Sequence, residues 1–219
     1  MINPDNHLYI LDTAQLDNDE IFSYWYNKMP AYRRKKIDSF RFVKDKKLSL
    51  GAGILLYKGI KRAGLTEPEI VFNKNEKPFL FGEPDIHFNL SHSGQIAVCA
   101  FSDTQVGVDA EITQHFENEI VKHIYSQDEI NYVNSHPSDN DTLYTLLWTI
   151  KESVMKYFGT GLSLSPNSIK VDLNEPITAE CEEYPTNNLF FSDYTIKGYS
   201  IVVCSNHKHF TNEPERVKI

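Results

Sequence analysis

The sequence predicts an α+β fold. Helix-like periods give way to short strand-like runs twice along the chain, over about residues 1–105 and again over 106–219, with no residue-level repeat between them. At 219 residues the chain is one large domain or two small ones, and 41% hydrophobic content is enough to build a buried core. Twelve tyrosines and thirteen phenylalanines add packing mass.

Taken in order, a strand is expected at 7–11, and Asp17-Asn-Asp-Glu20 then caps a helix reaching about Lys28. Pro30 opens a second, basic helix to about residue 40. There Arg33, Arg34, Lys35 and Lys36 wind around the axis, and Arg33 and Lys36, three apart, can converge on one anion. Residues 49–61 read as a long helix with Leu50, Ile54, Leu55, Tyr57 and Ile60 facing inward. After Gly64 the pattern changes to short strands at 70–72, 79–81, 86–90, 96–101 and 105–112.

Residues 113–116 read as a mobile loop before helices at 117–124 and 127–135, the second opened by a capping box of Ser126 and Glu129. His136-Pro137 begins a turn-rich break. A long helix starts at Asp141-Thr142 and ends at Gly159, where glycine suits a left-handed cap. Strands follow at 169–173, 189–196 and 199–204, and the polar tail 206–219 is expected to fray.

Charge and targeting signals narrow the function. The net charge of −8 argues against nucleic acid as a partner, which leans on a basic footprint. Twelve of the 22 Lys and Arg residues nevertheless fall between Lys28 and Arg62 against two acids, Asp38 and Asp45, so one end is locally positive and suited to an anionic ligand or an acidic protein. There is no run of about eighteen apolar residues, and the opening MINPDNHLYILD lacks a signal peptide's basic and apolar regions. A cytoplasmic protein without a membrane span is expected. Cys99, Cys181 and Cys204 lack metal spacing and fit free thiols in a reducing compartment.

The chemistry concentrates in two stretches. In Val106-Gly-Val-Asp-Ala-Glu-Ile112 a strand would turn Asp109 and Glu111 onto one face. In WTIKESVMKYFGTGLS, from Trp148 to Ser163, an apolar helical stripe is interrupted by Lys151, Glu152 and Lys156, with Glu152 and Lys156 one turn apart. An acid pair alone more often faces water, and a Glu–Lys pair four apart is usually a weak surface ion pair. Together, three carboxylates and a nearby cation suit magnesium, which takes hard oxygen ligands and shares its shell with substrate phosphates. A pyrophosphate would complete the set, with Lys156 offsetting charge on a leaving phosphate.

These stretches resemble the paired signature of 4'-phosphopantetheinyl transferases of the type that activates surfactin synthetase, G-[IV]-D-x-E followed by W-[ST]-x-K-E-[SA]-x-x-K-x-x-G-x-G-L. Gly107, Asp109, Glu111, Trp148, Lys151, Glu152, Lys156, Gly159, Gly161 and Leu162 all match, as do the Phe88-to-Ser93 run FNLSHS and Lys77-Pro78. The resemblance implies two similar α/β halves, 1–105 and 106–219, related by pseudo-twofold symmetry about a cleft, so that the molecule is a pseudo-dimeric monomer. It implies coenzyme A as substrate and acyl or peptidyl carrier proteins as partners. Magnesium would sit on Asp109, Glu111 and Glu152.

It further implies that Arg33 and Lys36 hold the 3'-phosphate, that Ser49 and Ser91 touch the adenosine, and that His92, Lys77 and Lys156 contact the coenzyme. Glu152 would take the proton of the carrier serine and Lys156 would stabilise the diphosphate. Glu76 stands where the family usually has the glycine of Gly-Lys-Pro, which puts the local turn in question. The competing readings are a magnesium-dependent nucleotide pyrophosphate hydrolase, using the same acids with water as nucleophile, and a coenzyme A binding module without turnover.

Overall fold

The computed structural model describes residues 6–196, 198–208 and 210–219 of the chain. It begins with β1 (His7–Asp12) and continues through α1 (Asp19–Lys28), α2 (Ala31–Ser39) and α3 (Val43–Arg62). Five strands follow, β2 (Ile70–Phe72), β3 (Pro78–Leu80), β4 (His87–Ser93), β5 (Ile96–Ser102) and β6 (Val106–Ile112). The helices α4 (Asn118–Ile124), α5 (Gln127–Asn134) and α6 (Asn140–Phe158) come next. The chain closes with β7 (Ile169–Asp172), β8 (Thr178–Cys181), β9 (Phe190–Asp193), β10 (Tyr199–Ser205) and β11 (Glu215–Arg216). The fold is α+β.

Two sheets organise these elements. One has the order β11-β1-β5-β4 and the other β6-β10-β9, while β2-β3 and β7-β8 form separate two-stranded ribbons. Period-two alternation explains how the sheets share a core. On β5, Ala97, Cys99 and Phe101 pack on one side with Leu50, Ile54 and Leu55 of α3, and Ile96, Val98 and Ala100 face the other. There they meet Val106, Val108 and Ala110 of β6 and Ile201 and Val203 of β10. Val202 and Cys204, the alternate residues of β10, pack instead with Ile150, Val154 and Met155 of α6. One apolar layer thus lies between the sheets, and α3 and α6 cover their outer faces.

Local signals set the helix ends. Asn18 caps α1 by accepting from the backbone N–H groups of Glu20 and Ile21 at 2.9 and 3.2 Å. The capping box of Ser126 and Glu129 is present. Gly159 closes α6 at φ +66°, the left-handed geometry expected there.

Four expectations need correction. The third helix begins at Val43 rather than at residue 49, because its first turns, Lys44-Asp-Lys-Lys47, are charged and have no apolar period to read. Strand β8 pairs with β7 and carried no signal, since only Ala179 in it is buried. Phe116 anchors the segment read as a mobile loop, buried against the rings of Tyr125 and Tyr144. The tail does not fray: β11 pairs parallel to β1, Val217 is buried and donates its N–H to the carbonyl of Ile10 at 2.8 Å, and the Ile219 N–H reaches Gln15 at 3.0 Å.

Among the described residues no helix is long and apolar enough to cross a membrane. The contact of β6 with α6 is backbone to backbone at Gly107, where a Cβ would lie 2.1 Å from the carbonyl oxygen of Ser153 and 2.4 Å from the nitrogen of Tyr157. Gly107→Ala should therefore destabilise the protein by roughly 3 kcal/mol or more, the upper part of the range for overpacking, because a helix backbone cannot swing aside as a side chain can. Urea denaturation checks this, and an unchanged midpoint would contradict the close approach.

Candidate active site

The site is built where β6 lies against α6. On β6 the residues facing the helix are Gly107, Asp109 and Glu111, and the absence of a side chain at Gly107 lets α6 settle close enough for its own polar residues to meet the two acids. Lys156 Nζ lies 2.6 Å from Asp109 Oδ1. One turn towards the helix start is Glu152, and one turn further Trp148 donates its indole N–H to Glu111 Oε1 at 3.3 Å. The stripe of Ile150, Val154 and Met155, all fully buried, fixes the rotation of α6 that brings these groups round.

A second strand completes the arrangement through side chains. Beside β6 runs β4, in the same direction, with Asn89 accepting from the Val108 N–H at 2.9 Å and the Ser93 hydroxyl donating to Glu111 Oε2 at 3.0 Å. Between these, Ser91 donates to Asp109 Oδ1 at 2.8 Å and accepts from Lys156 at 2.8 Å. Asp109 Oδ2, in contrast, is buried with no hydrogen-bond partner.

Electrostatics at this spot are strained. Burial raises the Glu111 carboxyl above its ordinary range, and the neighbouring Asp109 charge adds to the rise. Glu152 is pushed up to about 7, again by burial first and then by repulsion from Asp109, with Lys156 opposing. Three acids crowd round a single ammonium. A divalent cation here would relieve the crowding and partner the orphaned Asp109 oxygen. Among the described residues no group of three or more His, Cys, Asp or Glu side chains is arranged so that it could hold a metal ion. Magnesium does not require a full set of protein ligands, since it keeps waters and takes phosphate oxygens from substrate.

These groups line a cavity of about 950 Å³. The first part of the chain adds basic groups to the lining, Arg33 and Lys36 of α2 and His92 of β4, with the acid Glu76 among them. Burial lowers all three bases, and the lysine and histidine also feel nearby cations. Tyr32 and Phe72, with rings 6.0 Å apart edge to face, add an apolar surface, and Pro78 lies beside them. The cavity thus gathers cationic, acidic and aromatic side chains in one lining. It suits an extended anion with a planar group.

Eight of the expected site residues meet there: Arg33, Lys36, Ser91, His92, Asp109, Glu111, Glu152 and Lys156. Ser91 touches Asp109 and Lys156, at the acidic end rather than among the rings. Two expected residues lie elsewhere. The Ser49 side chain is wholly buried in α3, and only its carbonyl is engaged, by an Arg33 guanidinium N–H at 2.6 Å. Lys77 turns away from the cavity and gives its ammonium to the carbonyls of Val106 at 3.1 Å and Tyr157 at 2.9 Å. The turn before it survives the missing glycine, because Glu76 adopts the left-handed φ of +63° itself.

Lys151 of the signature is also not at the cavity. It is fully buried, 2.9 Å from Glu129, and further satisfied by the carbonyls of Ile124, Pro166 and Ile169. Glu129 in turn accepts from the N–H groups of Ser126 and Val171. The acid's capping-box role was legible; its buried ion pair, across 22 residues, was not. The roles of Tyr32 and Phe72 were missed because an aromatic in a basic helix or a short strand reads equally well as packing.

A family model described as "4'-phosphopantetheinyl transferase superfamily" matches residues 105–204, and one described as "4'-phosphopantetheinyl transferase, N-terminal" matches residues 18–104. The chain is similar to the 4'-phosphopantetheinyl transferase Sfp of Bacillus subtilis (strain 168), 31% identical over 206 residues, which cover 91% of this chain and 90% of the relative. It is also similar to the 4'-phosphopantetheinyl transferase gsp of Aneurinibacillus migulanus, at 29% over 94% of this chain and 87% of the relative. A more distant likeness is to the L-aminoadipate-semialdehyde dehydrogenase-phosphopantetheinyl transferase of Xenopus laevis, 28% over 73% of this chain and 59% of that protein.

Two outcomes are expected from these buried charges. Glu129→Ala, which strands the Lys151 ammonium, should lower unfolding stability by about 3–5 kcal/mol, and the double change Glu129→Leu with Lys151→Met by less, since an unpaired buried charge costs more than a missing pair. Urea melts of the three proteins decide it, and an equal loss in single and double variants would contradict the pairing. Burial also lowers Lys77 from 10.5 to about 8. Between those values the unfolded chain holds a proton that the folded chain has released, so this residue makes stability rise with pH across that window. Comparing melts of the parent and Lys77→Met at pH 8 and 10 should show the rise in the parent alone; parallel behaviour would contradict it.

Proposed function

The chain belongs to the 4'-phosphopantetheinyl transferase superfamily, and from that membership we propose that it transfers the 4'-phosphopantetheine of coenzyme A to a serine hydroxyl of an acyl or peptidyl carrier protein, releasing adenosine 3',5'-bisphosphate. The single observation that carries the reading furthest is the meeting of Asp109, Glu111, Glu152 and Lys156 with Arg33, Lys36 and His92 in the lining of one cavity. An anion carrying phosphates is what such a lining would hold.

In this reading Arg33 and Lys36 face the 3'-phosphate, and His92 donates to a phosphate oxygen. Tyr32 and Phe72 offer the purine a flat apolar surface. Asp109, Glu111 and Glu152 are the residues that would hold magnesium, a choice supported by the unpartnered Asp109 oxygen and by the raised Glu111 and Glu152 carboxyls. Bound there, the ion would act as a Lewis acid towards the diphosphate.

The carrier serine oxygen forms a bond to the β-phosphorus while the bond from that phosphorus to the oxygen bridging to the α-phosphate breaks. The electron pair leaves on the α-phosphate of adenosine 3',5'-bisphosphate. Lys156 offsets the charge gathering there. Glu152 accepts the serine proton as the general base.

The half 1–105 supplies the basic groups Arg33, Lys36 and His92, and the half 106–219 the acids Asp109, Glu111 and Glu152. A pseudo-twofold relation between them is supported by the way α3 covers one sheet and α6 the other. The three cysteines are free thiols, which agrees with a cytoplasmic enzyme, and we take it to act as a monomer because both sets come from one chain.

Asp109→Ala should abolish release of adenosine 3',5'-bisphosphate in the presence of coenzyme A, magnesium and an apo-carrier, leaving the far-ultraviolet circular dichroism unchanged. Most of the release surviving in that variant would overturn the assignment of the acids. Release by the parent without any carrier would overturn the transferase reading in favour of hydrolysis.

A further inference from the structure

The turn that carries Lys77 is locked on itself and aimed at the catalytic elements. Asn73 Oδ1 accepts from the backbone N–H groups of Asn75 and Lys77, each at 2.9 Å, and the Asn73 N–H donates to the Lys77 carbonyl at 3.0 Å. So held, the turn presents three side-chain donors in one direction. Asn73 and Asn75 give their amides to the carbonyl of Gly159 at 3.2 and 2.7 Å, and Lys77 gives its ammonium to those of Val106 and Tyr157. Gln105 adds its amide to the Tyr157 carbonyl.

Two of those three carbonyls share a property. Tyr157 and Gly159 belong to the last turn and cap of α6, where helix carbonyls lack partners within the helix. Val106 opens β6. The Lys77 ammonium therefore ties the end of the helix that bears Glu152 and Lys156 to the start of the strand that bears Asp109 and Glu111. Glycine at 159 is needed for the approach, since a Cβ would lie 2.7 Å from the Asn73 amide nitrogen and 3.0 Å from Lys77 Cδ.

We infer that Lys77, with Asn73 and Asn75, is a positioning clamp that sets the register of α6 on β6, and that it acts on the transfer through the Lys156–Asp109 geometry without touching coenzyme A. This rests on the transferase reading for its kinetic consequence and on geometry alone for its structural one. The clamp comes from the first half of the chain while both elements it holds come from the second, so the basic groups and the acids are fixed relative to one another by the same contact. Loss of register by about 1 Å at a reacting centre can lower rates by about a hundredfold.

The test separates positioning from ligand contact. Lys77→Met keeps the apolar stem and removes the donor. It should lower kcat for carrier modification at least tenfold while KM for coenzyme A stays within about twofold, and Lys77→Arg should recover most of kcat. A tenfold rise in KM at constant kcat would overturn the inference in favour of direct coenzyme contact, and unchanged constants would show the clamp is idle. Trp148 fluorescence in a Trp25→Phe background supplies a readout independent of turnover, because its indole bonds Glu111 across the same α6–β6 contact. Lys77→Met should shift its emission, and an unshifted spectrum would overturn the clamp even if the parent proved to transfer nothing. Should Lys77→Met not fold, Asn75→Ala, which removes the 2.7 Å bond to Gly159 without adding charge, is read in both assays with the same two outcomes in smaller measure.

Discussion

The site depends on a close approach of two backbones. Gly107 on β6 touches Ser153 and Tyr157 of α6 with no room for a methyl group. At that separation a lysine from the helix can reach 2.6 Å from an aspartate on the strand, and an indole can reach a second acid two residues on. A normal side chain at 107 would push the helix outward and take Glu152 and Lys156 away from Asp109. The chemistry is therefore set by what is missing from one residue as much as by the charges around it.

That approach leaves the molecule with an electrostatic problem that stability alone would not select. Asp109, Glu111 and Glu152 crowd a half-buried wall, burial and mutual repulsion hold two of them above their ordinary range, and one Asp109 oxygen has no partner. Perturbed groups gathered in a cavity are the signature of a site built for charge that arrives from outside. Elsewhere the same chain satisfies buried charge fully. Lys151 sits in the second core with Glu129 and three carbonyls, and each donor and acceptor there is used. The contrast between the two lysines of one helix, five residues apart, separates a buried structural strut from a side chain that lines the cavity.

Much of this was legible in the sequence because its carriers are local. Period two put Asp109 and Glu111 on one face, period 3.6 put Glu152 and Lys156 on another, and the left-handed cap at Gly159 followed from residue type. The basic helix α2 was legible from composition. Long-range partners were not. Nothing in the spacing of Glu129 and Lys151 announces an ion pair, and the turn 73–77 reads as a surface turn until the end of α6 is set against it. That the side chains of Ser49 and Lys77 lie outside the cavity was not legible for the same reason, since a motif carries a residue's identity and not the direction of its side chain. The tail was misjudged because β11 is only two residues long and gains its stability from pairing with β1 at the far end of the chain.

The most direct measurement is the mass of an apo acyl or peptidyl carrier protein after incubation with this protein, coenzyme A and magnesium. The account predicts a gain equal to one phosphopantetheine on the carrier serine. An unmodified mass across a panel of carriers from fatty-acid, polyketide and nonribosomal-peptide assembly, under conditions where coenzyme A binds, would contradict it.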